Sequence, residues 1–259
     1  MSRLVASLSY AVLAALLISI LGAGSAAAHA QWLLAHASVC APGDSVRVEL
    51  GSGHAFPQSD TAEDPEEAAV WSVAPDGTRR RLTLRVQGSR LESVFVPDSY
   101  GCHRLFFEVD RGLISRTAEG WSDGGRDRWP DAEQCLHYFI GSSTCVRCGS
   151  GAWESAALGL PLEVQVEAIE AGSVVVRAYL AGAPAPDLEI RLWDAATGFA
   201  PLGRTDADGR YHVAADLATD DGLFLSATYY RDWEPGGNCD RDVFRFNVIV
   251  PASLVRDPG

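Results

Sequence analysis

Apolar and polar residues alternate with a period of two along most of the chain beyond residue 30. Val46-Arg-Val48-Glu-Leu50, Leu82-Thr-Leu84-Arg-Val86, Leu105-Phe-Phe107-Glu-Val109 and Leu162-Glu-Val164-Gln-Val166 all show it. So do the sets Val174, Val176, Ala178, Leu180; Leu188, Ile190, Leu192; Leu223, Leu225, Ala227, Tyr229; and Phe244, Phe246, Val248, Val250. A strand turns successive side chains to opposite faces, so this period predicts strands buried on one face. Turn sequences separate the runs: APGD at 41–44, PDG at 75–77, PDSYG at 97–101 and DADG at 206–209. Short alternating strands with regular turns predict an all-β protein of two tandem antiparallel β-sandwiches. No amphipathic helix of three or more turns is predicted after residue 30. The stretch 119–157 breaks the alternation and is rich in Gly, Trp and Cys. It reads as an irregular connector between a sandwich at 29–118 and a second at 158–259.

The first 28 residues read differently. Arg3 precedes the apolar run LVASLSYAVLAALLISIL, which exits through the small residues GAGSAAAHA. A basic start, an apolar middle and an A-x-A exit predict a secretory signal peptide. Cleavage after Ala28 leaves His29 first, and cleavage after Ala30 leaves Gln31 first. Either cut predicts an exported, periplasmic or extracytoplasmic protein.

Charge and cysteine content narrow the function classes. The 259-residue chain carries 34 acidic and 21 basic residues, a formal net charge of −13, and every basic residue is Arg. An acidic chain without basic clusters is a poor binder of a phosphate backbone, so no nucleic-acid partner is expected. All six cysteines (Cys40, Cys102, Cys135, Cys145, Cys148, Cys239) follow the signal. An even count in an exported chain predicts three disulfides. Cys40 with Cys102 is the expected bridge in the first sandwich, since both flank its strands; the other four partners stay open. Cys145-Val-Arg-Cys148 has redox spacing, but it lies in a Gly/Ser-rich stretch rather than at a helix start, and zinc would need a second ligand pair.

Of six histidines, His212, His137 and His103 fall in or beside predicted strands and read as packing residues. His29, His36 and His54 cluster at the front of the first sandwich. A mature N-terminal His29 would offer both its α-amine and its imidazole to one metal. His54, at the loop closing strand 46–50, could add a second imidazole, and His36 is a weaker third candidate. Neutral nitrogen donors suit Ni, Co, Cu or Zn rather than Ca or Mg. Asp60, Glu63, Asp64, Glu66 and Glu67 follow His54 directly, as a solvated acidic loop or as a rim that attracts cations. Trp32 is a candidate hydrophobic wall beside the site. Asp206-Ala-Asp208-Gly209 lacks the remaining oxygen ligands of a calcium loop and reads as a hairpin turn.

Two resemblances sharpen these readings. The segment from Gly182 through Thr205-Asp-Ala-Asp208-Gly209-Arg-Tyr211 resembles carboxypeptidase-regulatory-like and transthyretin-like sandwiches. The ordered set His29-Ala-Gln-Trp32-Leu33, Ala41-Pro42-Gly43 and Gly53-His54-Ala55-Phe56-Pro57 resembles an exported domain-of-unknown-function family associated with bacterial nickel and cobalt uptake. The later Leu158-Gly-Leu160-Pro161-Leu162-Glu163 resembles that family's link into its C-terminal sandwich. Gln31 stands where that family usually has an aromatic, and the six cysteines are not a general feature of it. The resemblance implies metal ligands at His29 and His54 and a Ni²⁺ or Co²⁺ cargo, with Cu possible. It also implies an integral-membrane uptake transporter as partner.

The expected function is therefore metal capture and presentation to a transporter, not catalysis. Two other classes fit parts of the same pattern: a copper-binding protein or oxidative enzyme with a histidine brace, and a metal-free structural or adhesive sandwich. No G-x-S-x-G turn and no glycine-rich phosphate loop is present.

Overall fold

The computed structural model describes residues 29–149, 157–170 and 172–256, so residues 1–28, expected to be a signal peptide, lie outside the described residues. The chain is all-β with a sandwich arrangement of sheets. Its first half carries β1 (Ala30–Ala35), β2 (Val39–Cys40), β3 (Val46–Gly53), β4 (Ala69–Val73), β5 (Arg79–Arg81), β6 (Arg85–Gln87), β7 (Arg90–Phe95), β8 (Gly101–Thr117), β9 (Gly120–Asp123) and β10 (Gln134–Cys148). The second carries β11 (Leu162–Glu170), β12 (Ser173–Leu180), β13 (Ala183–Pro184), β14 (Glu189–Asp194), β15 (Gly198–Arg204), β16 (Arg210–Ala214), β17 (Leu223–Asp232) and β18 (Arg241–Val250). A short helix, α1 (Ala252–Arg256), follows.

One large sheet runs through both halves in the order β15-β14-β17-β18-β10-β8-β4-β5. A small sheet, β1-β3-β7-β6, covers one end of it, and β11-β12-β13 with β16 covers the other. Each cover closes its own core. Leu33, Val48, Leu50, Leu91, Leu105, Phe107 and Val146 fill the first. Val164, Val174, Val176, Ile190, Leu225, Phe246 and Val248 belong to the second. The alternating runs behave as the pattern requires, with one face of each turned to a core. The run 82–86 does so only in part: Leu82 and Leu84 pack against the first core, but 82–84 crosses between the two sheets without forming a strand, and Val86 is exposed.

The region 119–157, expected to be irregular, instead contains β9 and the 15-residue β10. β10 is the central strand of the large sheet, antiparallel to β8 and parallel to β18. A strand covered on both faces has no polar side to reveal its period, and the small residues Gly141–Thr144 hide it further. The joint between the halves is polar and buried. Glu163, fully buried, accepts hydrogen bonds from the Leu158 and Gly159 backbone N–H groups and from Gln165 Nε2, and lies 3.9 Å from the buried Arg104 guanidinium. That network ties the start of the Leu158–Glu163 segment to Arg104 of β8.

Candidate metal centre

The site is set by the β1–β3 ladder. Ala30 pairs with Gly53 in antiparallel register, so the next step along the ladder puts His29 opposite His54. Their ring centroids are 4.2 Å apart, the rings nearly perpendicular at 81°. β1 is an edge strand of the small sheet. Its outward backbone groups are met by side chains of the large sheet: Asn247 Nδ2 donates to the Gln31 carbonyl at 2.7 Å, and the Leu33 N–H donates to Ser142 Oγ at 3.2 Å. With both faces covered, the sequence AQWLLA shows no alternation.

Beyond Gly53 the chain folds back on the end of β3. The Ser52 N–H donates to Ser59 Oγ, the Asp60 N–H donates to the Ser52 carbonyl, and the Phe56–Pro57 bond is cis. Phe56 anchors this loop by packing edge-on against Trp32, at 5.5 Å, and at a tilt against Phe224 of the second half, at 4.7 Å. Trp32 is fully buried beneath the site, and its indole occupies the space a side chain would need at the facing Gly51. Gly53 is required for a similar reason: a Cβ there would stand 2.9 Å from Asp60 Oδ2.

Asp60 completes the cluster. His29, His54 and Asp60 are exposed, and one donor atom from each lies within 4.8 Å of the others. Asp60 Oδ2 accepts hydrogen bonds from the His54 Nδ1 and the His54 backbone N–H, each at 2.9 Å. These two bonds, with the charges of His54 and His29, hold the Asp60 carboxyl below its ordinary range. An ionised carboxylate requires the proton on Nδ1, so it is the neutral imidazole of His54 that offers a free lone pair, at Nε2. A carboxylate–imidazole pair of this kind fixes the tautomer and the orientation of the ring. Donors at about 2.1 Å from one ion are at most about 4.2 Å apart, so the 4.8 Å spread of these three atoms is slightly wider than one ion requires.

The other sequence candidates separate clearly. His36 lies at the opposite end of β1, seven residues from His29, or about 23 Å along an extended strand. Its Nδ1 accepts from Arg47 Nη2 at 3.0 Å and its Nε2 donates to the buried Glu49 at 3.0 Å, so both ring nitrogens are occupied. It does not join His29 and His54. In the acidic loop, only Asp60 reaches the histidines. Glu63 is paired with Arg111, and Asp64 caps its own turn through the Glu66 N–H. Asp60 was legible only as one of five loop acids; the close approach at Gly53 singles it out.

Elsewhere His103 is buried against Phe95 and bonds the Ser99 carbonyl, while His212 is exposed on β16. His137 bridges Asp110 and Asp242. Asp206 caps its hairpin by accepting from the Asp208 and Arg210 N–H groups. All six cysteines are thiols. Cys40 is paired with Cys148 on β10, not with Cys102, because β2 runs beside β10 and not beside β8.

The fold and the cluster define an all-β sandwich protein with a surface His/His/Asp group. The chain belongs to the family described as Domain of unknown function (DUF4198), which matches residues 26–224. No curated protein matches it. Among solved structures, it is similar to a DUF4785 family protein from Legionella pneumophila: 14% identity, 76% of this chain and 50% of that one, TM-score 0.27. It is also similar to Escherichia coli alpha-2-macroglobulin activated by porcine elastase: 13% identity, 86% of this chain and 20% of that one, TM-score 0.28. The Yersinia pseudotuberculosis adhesin InvE matches at 12% identity over 86% of this chain and 58% of that one, TM-score 0.24. The chain thus spans half the length of the first of these and a fifth of the second.

Proposed function

We propose that this chain is an exported capture protein for a late first-row transition metal, with Ni²⁺ or Co²⁺ as cargo. His29 and His54 hold the ion, Asp60 supports them, and the loaded protein presents it to an integral-membrane uptake component. The observation that carries this reading is the convergence of two imidazoles and one carboxylate at the end of a single β-ladder. Two nitrogen donors and one oxygen donor suit these ions, while Ca²⁺ and Mg²⁺ favour all-oxygen sites. Such a site binds Cu²⁺ more strongly than Ni²⁺ or Co²⁺, so the cargo in the cell is decided by supply and by the receiving partner. Exposure of all three side chains favours transfer of an ion over its permanent retention.

Signal cleavage after Ala28 fits this role better than cleavage after Ala30. Ala30 is buried in the β1–β3 ladder, and the later cut would remove both it and His29. The earlier cut frees the His29 α-amine as a further donor. Isothermal titration of protein beginning at His29 with Ni²⁺, Co²⁺, Cu²⁺ and Zn²⁺ tests the proposal. One ion per chain, lost in the His29→Ala, His54→Ala double variant, supports it; no uptake of any of the four rejects it.

A further inference from the structure

Three of the six cysteines, Cys135, Cys145 and Cys148, lie on β10, and each meets a cysteine from a different neighbouring segment. Cys148 is directly opposite Cys40 of β2 in the parallel register, and the two thiols are hydrogen-bonded. Cys145 and Cys102 share one face of the β8–β10 ladder, on the diagonal between the Cys145–Arg104 and Arg147–Cys102 pairs, and their thiols are also bonded. Cys135 opens β10 against the loop before β18. The Asp240 N–H donates to the Cys135 carbonyl, the Cys135 N–H donates to Asp240 Oδ2, and the Cys135 and Cys239 thiols meet.

The geometry also excludes a pairing that the sequence suggests. Residues three apart on an extended strand face opposite sides of the sheet. Cys145 accordingly packs in the second core and Cys148 in the first. A Cys145–Cys148 bond would require unravelling the end of the central strand. Cys148 and Cys239 are both pushed up to about 12, by burial first and then by their thiol partners. Thiols held protonated in this way are poor nucleophiles, unlike those of a redox-active pair.

We infer that β10 is a covalent spine: Cys40–Cys148, Cys102–Cys145 and Cys135–Cys239 form three disulfides that staple it to β2, to β8 and to the segment entering β18. In each pair two S–H bonds break and one S–S bond forms. The two protons and two electrons pass to a disulfide-bearing oxidant, whose own S–S bond is cleaved to two thiols. Such oxidants maintain the disulfides of exported proteins. Where the chain meets one depends on the export reading; which sulfurs pair does not.

The test is peptide mapping of the whole protein, refolded from the reduced state with oxidised glutathione and alkylated under denaturing conditions. Trypsin cuts at Arg47, Arg90, Arg104, Arg128, Arg147, Arg177, Arg231 and Arg241. The inference expects peptide 129–147 joined to both 91–104 and 232–241, and peptide 148–177 joined to the peptide ending at Arg47. Chymotryptic cleavage after Tyr138 or Phe139 then separates the Cys135–Cys239 link from the Cys102–Cys145 link. The count of alkylated thiols falls from six to none. A 129–147 to 148–177 link, a 91–104 link to the peptide ending at Arg47, or six alkylated thiols overturns it. Mapping of protein recovered after export forms a second arm. If glutathione yields the three bonds but recovered protein has free thiols, the pairing stands and export is rejected.

Discussion

His29 and His54 face each other one step beyond the last pair of the β1–β3 ladder, their rings 4.2 Å apart and perpendicular. The same register puts His36 opposite Arg47 at the other end, with its ring nitrogens occupied. The three histidines should therefore respond differently to substitution. We expect His54→Ala to weaken Ni²⁺ binding by at least about tenfold without unfolding the protein, since an exposed loop ligand carries no core area. His36→Ala should leave Ni²⁺ affinity unchanged and lower stability by about 1–3 kcal/mol, because the buried Glu49 loses a partner. Calorimetric titration alongside urea unfolding separates the two effects. Equal loss of affinity in both variants would contradict this division.

Asp60 should act through His54 as well as on the ion. Asp60→Asn keeps the shape but removes the charge that fixes the proton on Nδ1, and loss of such a partner typically costs 10–100-fold in affinity (an order-of-magnitude range). Since its hydrogen bonds from His54 hold the Asp60 carboxyl below its ordinary value, it stays ionised well into acid. The fall in metal affinity on acidification must then come from proton competition at imidazole, which free in water titrates near about pH 6.5. Wild type and Asp60→Asn should both lose Ni²⁺ on acidification, because both keep the two imidazoles, with the variant starting from the lower affinity. A wild-type loss centred near pH 4 would point to the carboxylate instead.

Gly53 sits where a Cβ would meet Asp60 Oδ2 at 2.9 Å. Gly53→Ala should displace the carboxylate from His54 and weaken metal binding by an amount comparable to Asp60→Asn. The double variant should be little worse than either single one, as expected for residues acting through the same contact. Full additivity in a double-mutant cycle would show that Gly53 acts elsewhere.

Acid stability should depend on a different carboxylate. Asp242, almost fully buried, accepts from His137 Nδ1 and Trp233 Nε1 on one oxygen and from Arg231 on the other. Burial alone would raise its pKa; the bonds from Trp233 and Arg231, the Arg231 charge and His137 together outweigh this, and the net shift is downward. A depressed folded-state value means the stabilisation is present above about pH 4, the unfolded value, and is lost as pH falls through the folded one. Asp242→Asn should therefore cost about 1–3 kcal/mol at pH 7 and flatten the decline in stability between pH 5 and pH 2. Urea midpoints across that range read both effects, and an unchanged slope in the variant would reject the assignment.

The sequence was most informative where large apolar side chains alternate with smaller or polar ones along a strand. β3, β8, β11, β12, β17 and β18 all fall on alternating runs. It was least informative for β1 and β10, which are covered on both sides and so lose the alternation that would mark them. The parallel β10–β18 pair joins residues more than a hundred positions apart, and no local pattern encodes it. At the site, His29 and His54 were legible from donor chemistry and their placement around a predicted strand. Asp60 was not, because five neighbouring acids look alike until the backbone turns one of them onto Gly53. The cysteine partners were hidden for the same reason as β10: pairing follows strand order, and strand order is non-local.

The most direct test of the account is Ni²⁺ titration of two proteins, one beginning at His29 and one carrying a single extra alanine before it, each with His54 intact and with His54→Ala. Metal chelation at the end of the β1–β3 ladder predicts one tight ion for the chain beginning at His29. It predicts weaker binding when the α-amine is blocked by the added residue, and weaker binding again when His54 is lost. Stoichiometric binding indifferent to both changes would show that the ion is held elsewhere and would contradict the account.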